Sequence, residues 1–189
     1  MRRALPALLP AVLLAAVMAT GGCRNTEKQE AGAGPRPAAD QNQTPYYYGL
    51  IEEYQRVLAQ DPHNLAAITA LGNAFYDAGE WRQAIVYYER SLRLDPHNAS
   101  VITDVGTCYR NLGFPERAIK EYERALKIQP SHQNALLNLG IVYGYDLKNH
   151  AKAIAYWEQL LHVAPKHPEA ERLQASIAQF KKAMKKEAR

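Results

Sequence analysis

Between residues 65 and 132 the chain spells one unit twice, with corresponding positions 34 residues apart. Gly72 and Gly106, Ala84 and Ala118, Tyr88 and Tyr122, and Pro96 and Pro130 are all related this way. A fixed period of this length marks supersecondary units that stack, because one unit alone cannot bury its apolar face. Inside the first unit, Ile68, Leu71, Gly72 and Phe75 fall at i, i+3, i+4 and i+7, one face of an α-helix. Ala84, Ile85, Tyr88, Ser91 and Leu92 form a second such stripe, so each unit is predicted to be a pair of helices. Glycine within a helix costs about 1 kcal/mol relative to alanine. Gly72 and Gly106 therefore predict close approach of the partner helix, with Ala84 or Ala118 opposite and a tyrosine beside it. Pro96 and Pro130 stop the second helix of each pair.

The pattern extends both ways. Leu50, Ile51, Tyr54, Val57 and Leu58 repeat the second-helix stripe without a first helix before it, predicting an orphan helix over residues 45–64. Tyr46, Tyr47 and Tyr48 at its start are expected to pack on the first full unit. In a third unit, Leu136, Leu139, Gly140 and Tyr143 give the first face, and Ala153, Trp157 and Leu160 the second. Gly140 and Ala153 are one residue further apart than their counterparts. The extra residue is expected in the turn Asp146 to His150, with Asn149 supplying the left-handed conformation that Gly79 and Gly113 give elsewhere. Ala170, Leu173, Ile177, Phe180 and Met184 then line one side of a final capping helix.

These residues carry a family resemblance. Ile68, Leu71, Gly72, Phe75, Ala84, Tyr88, Ser91 and Pro96 stand where tetratricopeptide repeats carry Trp, Leu, Gly, Tyr, Ala, Phe, Ala and Pro. Ile102, Val105, Gly106, Tyr109, Ala118, Tyr122, Ala125 and Pro130 fill the same places in the second unit. The chain resembles that family, which implies an all-α solenoid of helix hairpins. Its parts are the orphan helix, repeats over 65–98, 99–132 and 133–167, and a capping helix over 168–189. The resemblance also implies protein or peptide binding in the concave groove. The family's contact positions map onto Thr69, Asn73, Tyr76 and Asp77 in the first repeat. In the second they fall on Thr103, Thr107, Arg110 and Asn111, and in the third on Asn134, Leu137, Ile141 and Tyr145. Asn73 matches one asparagine of the family's carboxylate clamp. Thr69 replaces a clamp lysine and Asp104 another asparagine, which argues against that clamp. A groove running from polar to apolar suits an amphipathic helix or an extended peptide.

The first 44 residues read differently. Arg2 and Arg3 precede an apolar run from Ala4 to Met18, then Thr20, Gly21, Gly22 and Cys23, the layout of a secretory signal. The segment resembles a bacterial lipoprotein signal, with Thr20 where that family usually carries leucine. The resemblance implies a signal peptide over 1–22, acylation (palmitate) of Cys23 and a lipid-anchored chain facing the periplasm; the alternatives are an uncleaved membrane anchor and an ordinary signal cut elsewhere. Residues 24–44 contain no aliphatic side chain larger than alanine and no aromatic. They cannot offset their own chain entropy by burial, and predict a tether reaching roughly 25 Å.

No nucleophile elbow, phosphate-binding glycine loop or HExxH occurs, so neither an enzyme nor a cofactor or metal site is expected. His63 and His97 occupy one loop position in successive units, Asp-Pro-His-Asn each time. Cys108 is expected to be a buried core thiol. The net charge of +4 comes from the two N-terminal arginines and a lysine-rich C-terminal end, leaving a nearly balanced body and no nucleic-acid-binding face. The function expected is a membrane-held scaffold for protein–protein interaction in the bacterial envelope. The rivals are a permanent subunit of an envelope assembly machine and a module holding substrate for a separate enzyme.

Overall fold

A computed structural model of the protein describes residues 44–187. Cys23 and the predicted tether up to residue 43 lie outside the described residues, and Thr44 already belongs to the first helix. Helix α1 spans Thr44–Gln60, α2 Leu65–Asp77, α3 Trp81–Leu94, α4 Ala99–Asn111 and α5 Pro115–Ile128. Helix α6 spans Gln133–Ile141 and runs into a π-helical turn, Val142–Asp146, followed by α7, His150–Val163, and α8, Ala170–Glu187. Each helix packs on the next in the chain, and α4 also meets α6. The described residues thus form an α-solenoid of helix hairpins, with α2/α3, α4/α5 and α6/α7 as the pairs.

Local chemistry fixes the helix ends. Asn64 and Asn98 cap α2 and α4, their side chains accepting from the Ala67 and Val101 amides. Gly79 and Gly113 take φ of 79° and 82° and turn the chain between paired helices. Before Pro96, Pro130 and Pro165 the backbone leaves the helical region, with φ/ψ of −131°/82° at Asp95, −131°/92° at Gln129 and −139°/74° at Ala164. His132 takes the capping position of α6 but forms no capping bond. Its Nδ1 is buried without a hydrogen-bond partner, while Nε2 lies 3.3 Å from Ser100 Oγ.

Burial lowers the pKa of His132 below the ordinary histidine value. The unfolded chain therefore binds this proton more readily. The resulting stability is complete above pH ~6.5 and is lost as pH falls toward the folded-state pKa. His132→Asn is expected to add about 1 kcal/mol by restoring the cap and to flatten the fall in stability below neutral pH, as read by urea melts across pH.

At the pairing surface, a Cβ on Gly72 would lie 2.7 Å from the Tyr88 ring, and one on Gly106 2.7 Å from Tyr122. Ala84 and Ala118 are completely buried opposite. The aromatic polar tips also find partners: Tyr88 donates to Asn73 Oδ1 at 2.9 Å and Tyr122 to Thr107 Oγ1 at 3.2 Å. In the third pair the equivalent position is Ile141, which offers no acceptor. Trp157 stands there instead of tyrosine, and its Nε1 donates to the Leu137 carbonyl at 3.2 Å. A tyrosine in that place would bury an unsatisfied hydroxyl.

The extra residue of the third unit lies elsewhere than the sequence suggests. Glu80 and Phe114 donate their amides to Phe75 and Tyr109, five residues back, whereas Asn149 donates to Tyr143, six back, at 2.7 Å. The π-helical turn takes up the added residue, with Leu147 bonded to the Val142 carbonyl at 3.0 Å. The left-handed residue is Lys148, φ 55°, not Asn149. Asn149 is committed as the cap of α7, its side chain accepting from the Lys152 amide at 3.1 Å. Since a side chain is strained at positive φ, Lys148→Gly should stabilise the protein by roughly 0.5 kcal/mol; the midpoint of chemical denaturation reads it.

At the N-terminal end, Ile51 and Leu58 join Ile68 and Leu71 in one apolar cluster. Val57, on the expected stripe, stays exposed. Tyr46 is 65% exposed and Tyr48 44%, the Tyr48 hydroxyl lying 3.4 Å from Glu80 Oε1. At the other end, Leu173, Ile177 and Phe180 of α8 are buried, while Met184 is exposed. No described helix is long and apolar enough to cross a membrane.

Candidate functional site

The inner row α2, α4 and α6 borders a groove of about 280 Å³. Tyr76 closes one end. Thr103, Thr107, Arg110 and Asn111 contribute from α4, and Asn134, Leu137 and Ile141 from α6. Of these, Thr103 and Ile141 are only 2% and 6% exposed, so they form floor more than contact surface.

The remaining expected contact residues do not line this groove. Thr69 Oγ1 lies 2.7 Å from Ser91 Oγ, and the Asn73 side chain accepts from Tyr88, so both are tied to α3. Asp77 is exposed beyond the groove end. Tyr145 packs among aromatic rings, 6.1 Å from Trp157 and 5.6 Å from Phe180 between centroids.

Two groove residues absent from the expected contact set are Asp104 and Asn138. They stand 34 residues apart, one position of the repeat, and that spacing was the available signal. Asn138 Nδ2 donates to Thr107 Oγ1 at 3.3 Å, so Thr107 gathers bonds from α5 and α6 at once.

Arg110 spans two pairs. Its Nε and Nη2 donate to both carboxylate oxygens of Asp146, at 2.6 and 3.1 Å. The guanidinium is largely enclosed, which makes this a bidentate, partly desolvated pair and not a loose surface contact. It pins the π-helical turn to α4. On its far side lies a second depression of about 300 Å³, shared with Asn111, Gly113 and Pro115.

Buried groups behind the groove are held neutral. Burial raises the pKa of the Tyr88 hydroxyl, and the carboxylates of Asp104 and Asp77 push it further in the same direction. Burial likewise raises Tyr122. The Cys108 thiol, fully buried, is pushed up to about 12, chiefly by burial and then by Asp104. It stays protonated and unreactive at neutral pH. Among the described residues no cluster of three or more His, Cys, Asp or Glu side chains could hold a metal ion.

Family models for the tetratricopeptide repeat match residues 66–98 and 106–156. No curated protein matches the sequence significantly. The solved structure of MamA is 25% identical, with a TM-score of 0.61, covering 78% of this chain and 92% of that one. The first tetratricopeptide domain of Spaghetti (RPAP3), bound to the HSP90 peptide SRMEEVD, is 21% identical with a TM-score of 0.58, covering 66% and 95%. YrrB, a tetratricopeptide protein described as having an unusual peptide-binding site, is 21% identical with a TM-score of 0.61, covering 69% and 67%.

Proposed function

The chain is a tetratricopeptide-repeat protein, and on that premise we propose that it is a non-catalytic scaffold, held at a bacterial envelope membrane and recruiting a protein segment into its inner groove. The observation that carries the recruiting role is the groove. Hydroxyl and amide side chains from two inner helices, with Leu137 beside them, converge on one depression of about 280 Å³. Repeats of this kind supply a rigid frame, and a few inner-face side chains choose the partner. Membrane attachment rests on the N-terminal sequence, where Cys23 follows an apolar signal-like run.

Two measurements test this. A clickable palmitate fed to cells is expected to label the wild-type protein and not Cys23→Ser; equal labelling of both would remove the anchor. Asn134→Trp, at an exposed groove position, is expected to abolish partner recovery in a crosslinked pull-down while leaving the thermal melt unchanged. Undiminished recovery would place recruitment on another face.

A further inference from the structure

Charge is graded along the stack. Residues 44–80 carry five carboxylates and one arginine, whereas residues 147–187 carry eight lysines and arginines and four glutamates. The start of α7 meets the end of α8: His150 stacks on Phe180 with centroids 4.2 Å apart, and Ala151 and Ile154 share a depression with Lys181, Met184 and Lys185. Lys148 and Lys152 are thereby gathered at one edge with Lys181, Lys182, Lys185 and Lys186. Lys181 is paired with Glu158, and Lys152 lies over the Tyr143 ring. Among the described residues Lys148, Lys182, Lys185 and Lys186 form no ion pair, and all four are exposed. The depression has a volume of about 460 Å³, and its apolar lining comes from Ala151, Ile154 and the exposed Met184.

We propose that this α7–α8 edge docks on an anionic lipid surface, its lysines meeting headgroup phosphates and Met184 entering the layer beside them. The proposal deepens the membrane-held reading and rests on it for a lipid surface within reach. Charge complementarity selects the occupant. An apolar hollow rimmed by lysines fits a layer that presents phosphates over hydrocarbon. Lysine stems can lie along apolar surface while their ammonium groups stay at headgroup level. A contact of this kind needs no spanning helix, and none of the described helices is long and apolar enough to be one. A single acyl chain holds a protein to a membrane only marginally, and a polybasic patch is one form of the second attachment that makes it stable. The same surface would repel the acidic α1–α2 end, so the contact also sets which end of the stack faces the membrane.

The test uses the full chain as Cys23→Ser, so that no acyl chain contributes, with an environment-sensitive dye on Ala151→Cys. Cys108 is buried and takes no dye. Because the dye reports only from position 151, vesicle binding through Ala4 to Met18 does not score. Vesicles of phosphatidylglycerol and phosphatidylcholine are expected to give a blue-shifted rise in emission that fades as salt is added, and phosphatidylcholine alone to give none. The variant Lys182→Gln/Lys185→Gln/Lys186→Gln should need roughly 100-fold more anionic lipid, about five-fold for each lysine. A dye at Val86→Cys on α3 should stay silent. The salt series does not depend on the triple variant folding. No rise with anionic vesicles would overturn the proposal, as would an equal rise with phosphatidylcholine alone or an undiminished one in the triple variant. A rise that grows with protein concentration in the absence of vesicles would overturn it in favour of a second copy on this edge. All of these outcomes leave the Cys23 anchor to its own labelling test, and failure of that label with an intact vesicle response would remove the anchor and keep this surface.

Discussion

Gly140→Ala is expected to destabilise the protein by about 3 kcal/mol, lowering the midpoint of a thermal melt by roughly 10 °C. The sign makes the result decisive. Helix propensity alone favours alanine by about 1 kcal/mol, so a helix with open space at this point would gain stability. Here a Cβ would lie 2.1 Å from Trp157 Nε1 and 2.3 Å from Cδ1. The indole cannot swing aside. It is 1% exposed, stacked on Phe180 with centroids 5.6 Å apart, and anchored to the Leu137 carbonyl. Moving it would break that bond and open a void along the α6/α7 contact. The same change at Gly106 meets the Tyr122 ring at 2.7 Å and should cost less. A Gly140→Ala protein as stable as wild type would mean that α6 and α7 do not approach as described.

Phe180→Ala should cost about 3 kcal/mol, and its damage should stay at one end. Phe180 is the main aromatic contribution of α8. Its ring stacks on His150 at 4.2 Å and lies 5.6 Å from the rings of both Trp157 and Tyr145. Truncation leaves a cavity where α8 packs on α7, and in a stack each element leans only on its neighbours. In a stack held by neighbour contacts, amide exchange should accelerate in α7 and α8 while α2 and α3 keep their protection. Uniform loss of protection along the chain would contradict serial packing and indicate a single cooperative core.

The helices were legible because the 34-residue period aligns the small and aromatic positions of successive pairs. Gly72, Gly106 and Gly140 announced where helices close up, and Pro96, Pro130 and Pro165 where they end. The third turn was harder to read, because inserting one residue has several backbone solutions. A π-helical turn keeps the Val142 and Tyr143 carbonyls bonded and leaves Asn149 free to cap α7, which a simple loop insertion would not do. Side chains of the groove followed the same divide. The family resemblance implied Thr107, Asn134 and Leu137 as contact positions, but not the bonds that draw Thr69 and Asn73 toward α3. Nor did it show that Tyr145 packs against α8, because that depends on where a non-repeating helix docks. The ion pair of Arg110 with Asp146, 36 residues apart, follows from the π-helical turn and was hidden for the same reason.

The claim on which this account depends is that the inner row, not the outer helices, is the working face. A photo-crosslinking amino acid placed at Asn134 or at Val86 in living cells tests it directly. Asn134 borders the groove, while Val86 is an exposed side chain of α3, 55% accessible. Irradiation is expected to give discrete crosslinked partners from position 134 and none from 86. Crosslinks from 86 with none from 134 would contradict the account.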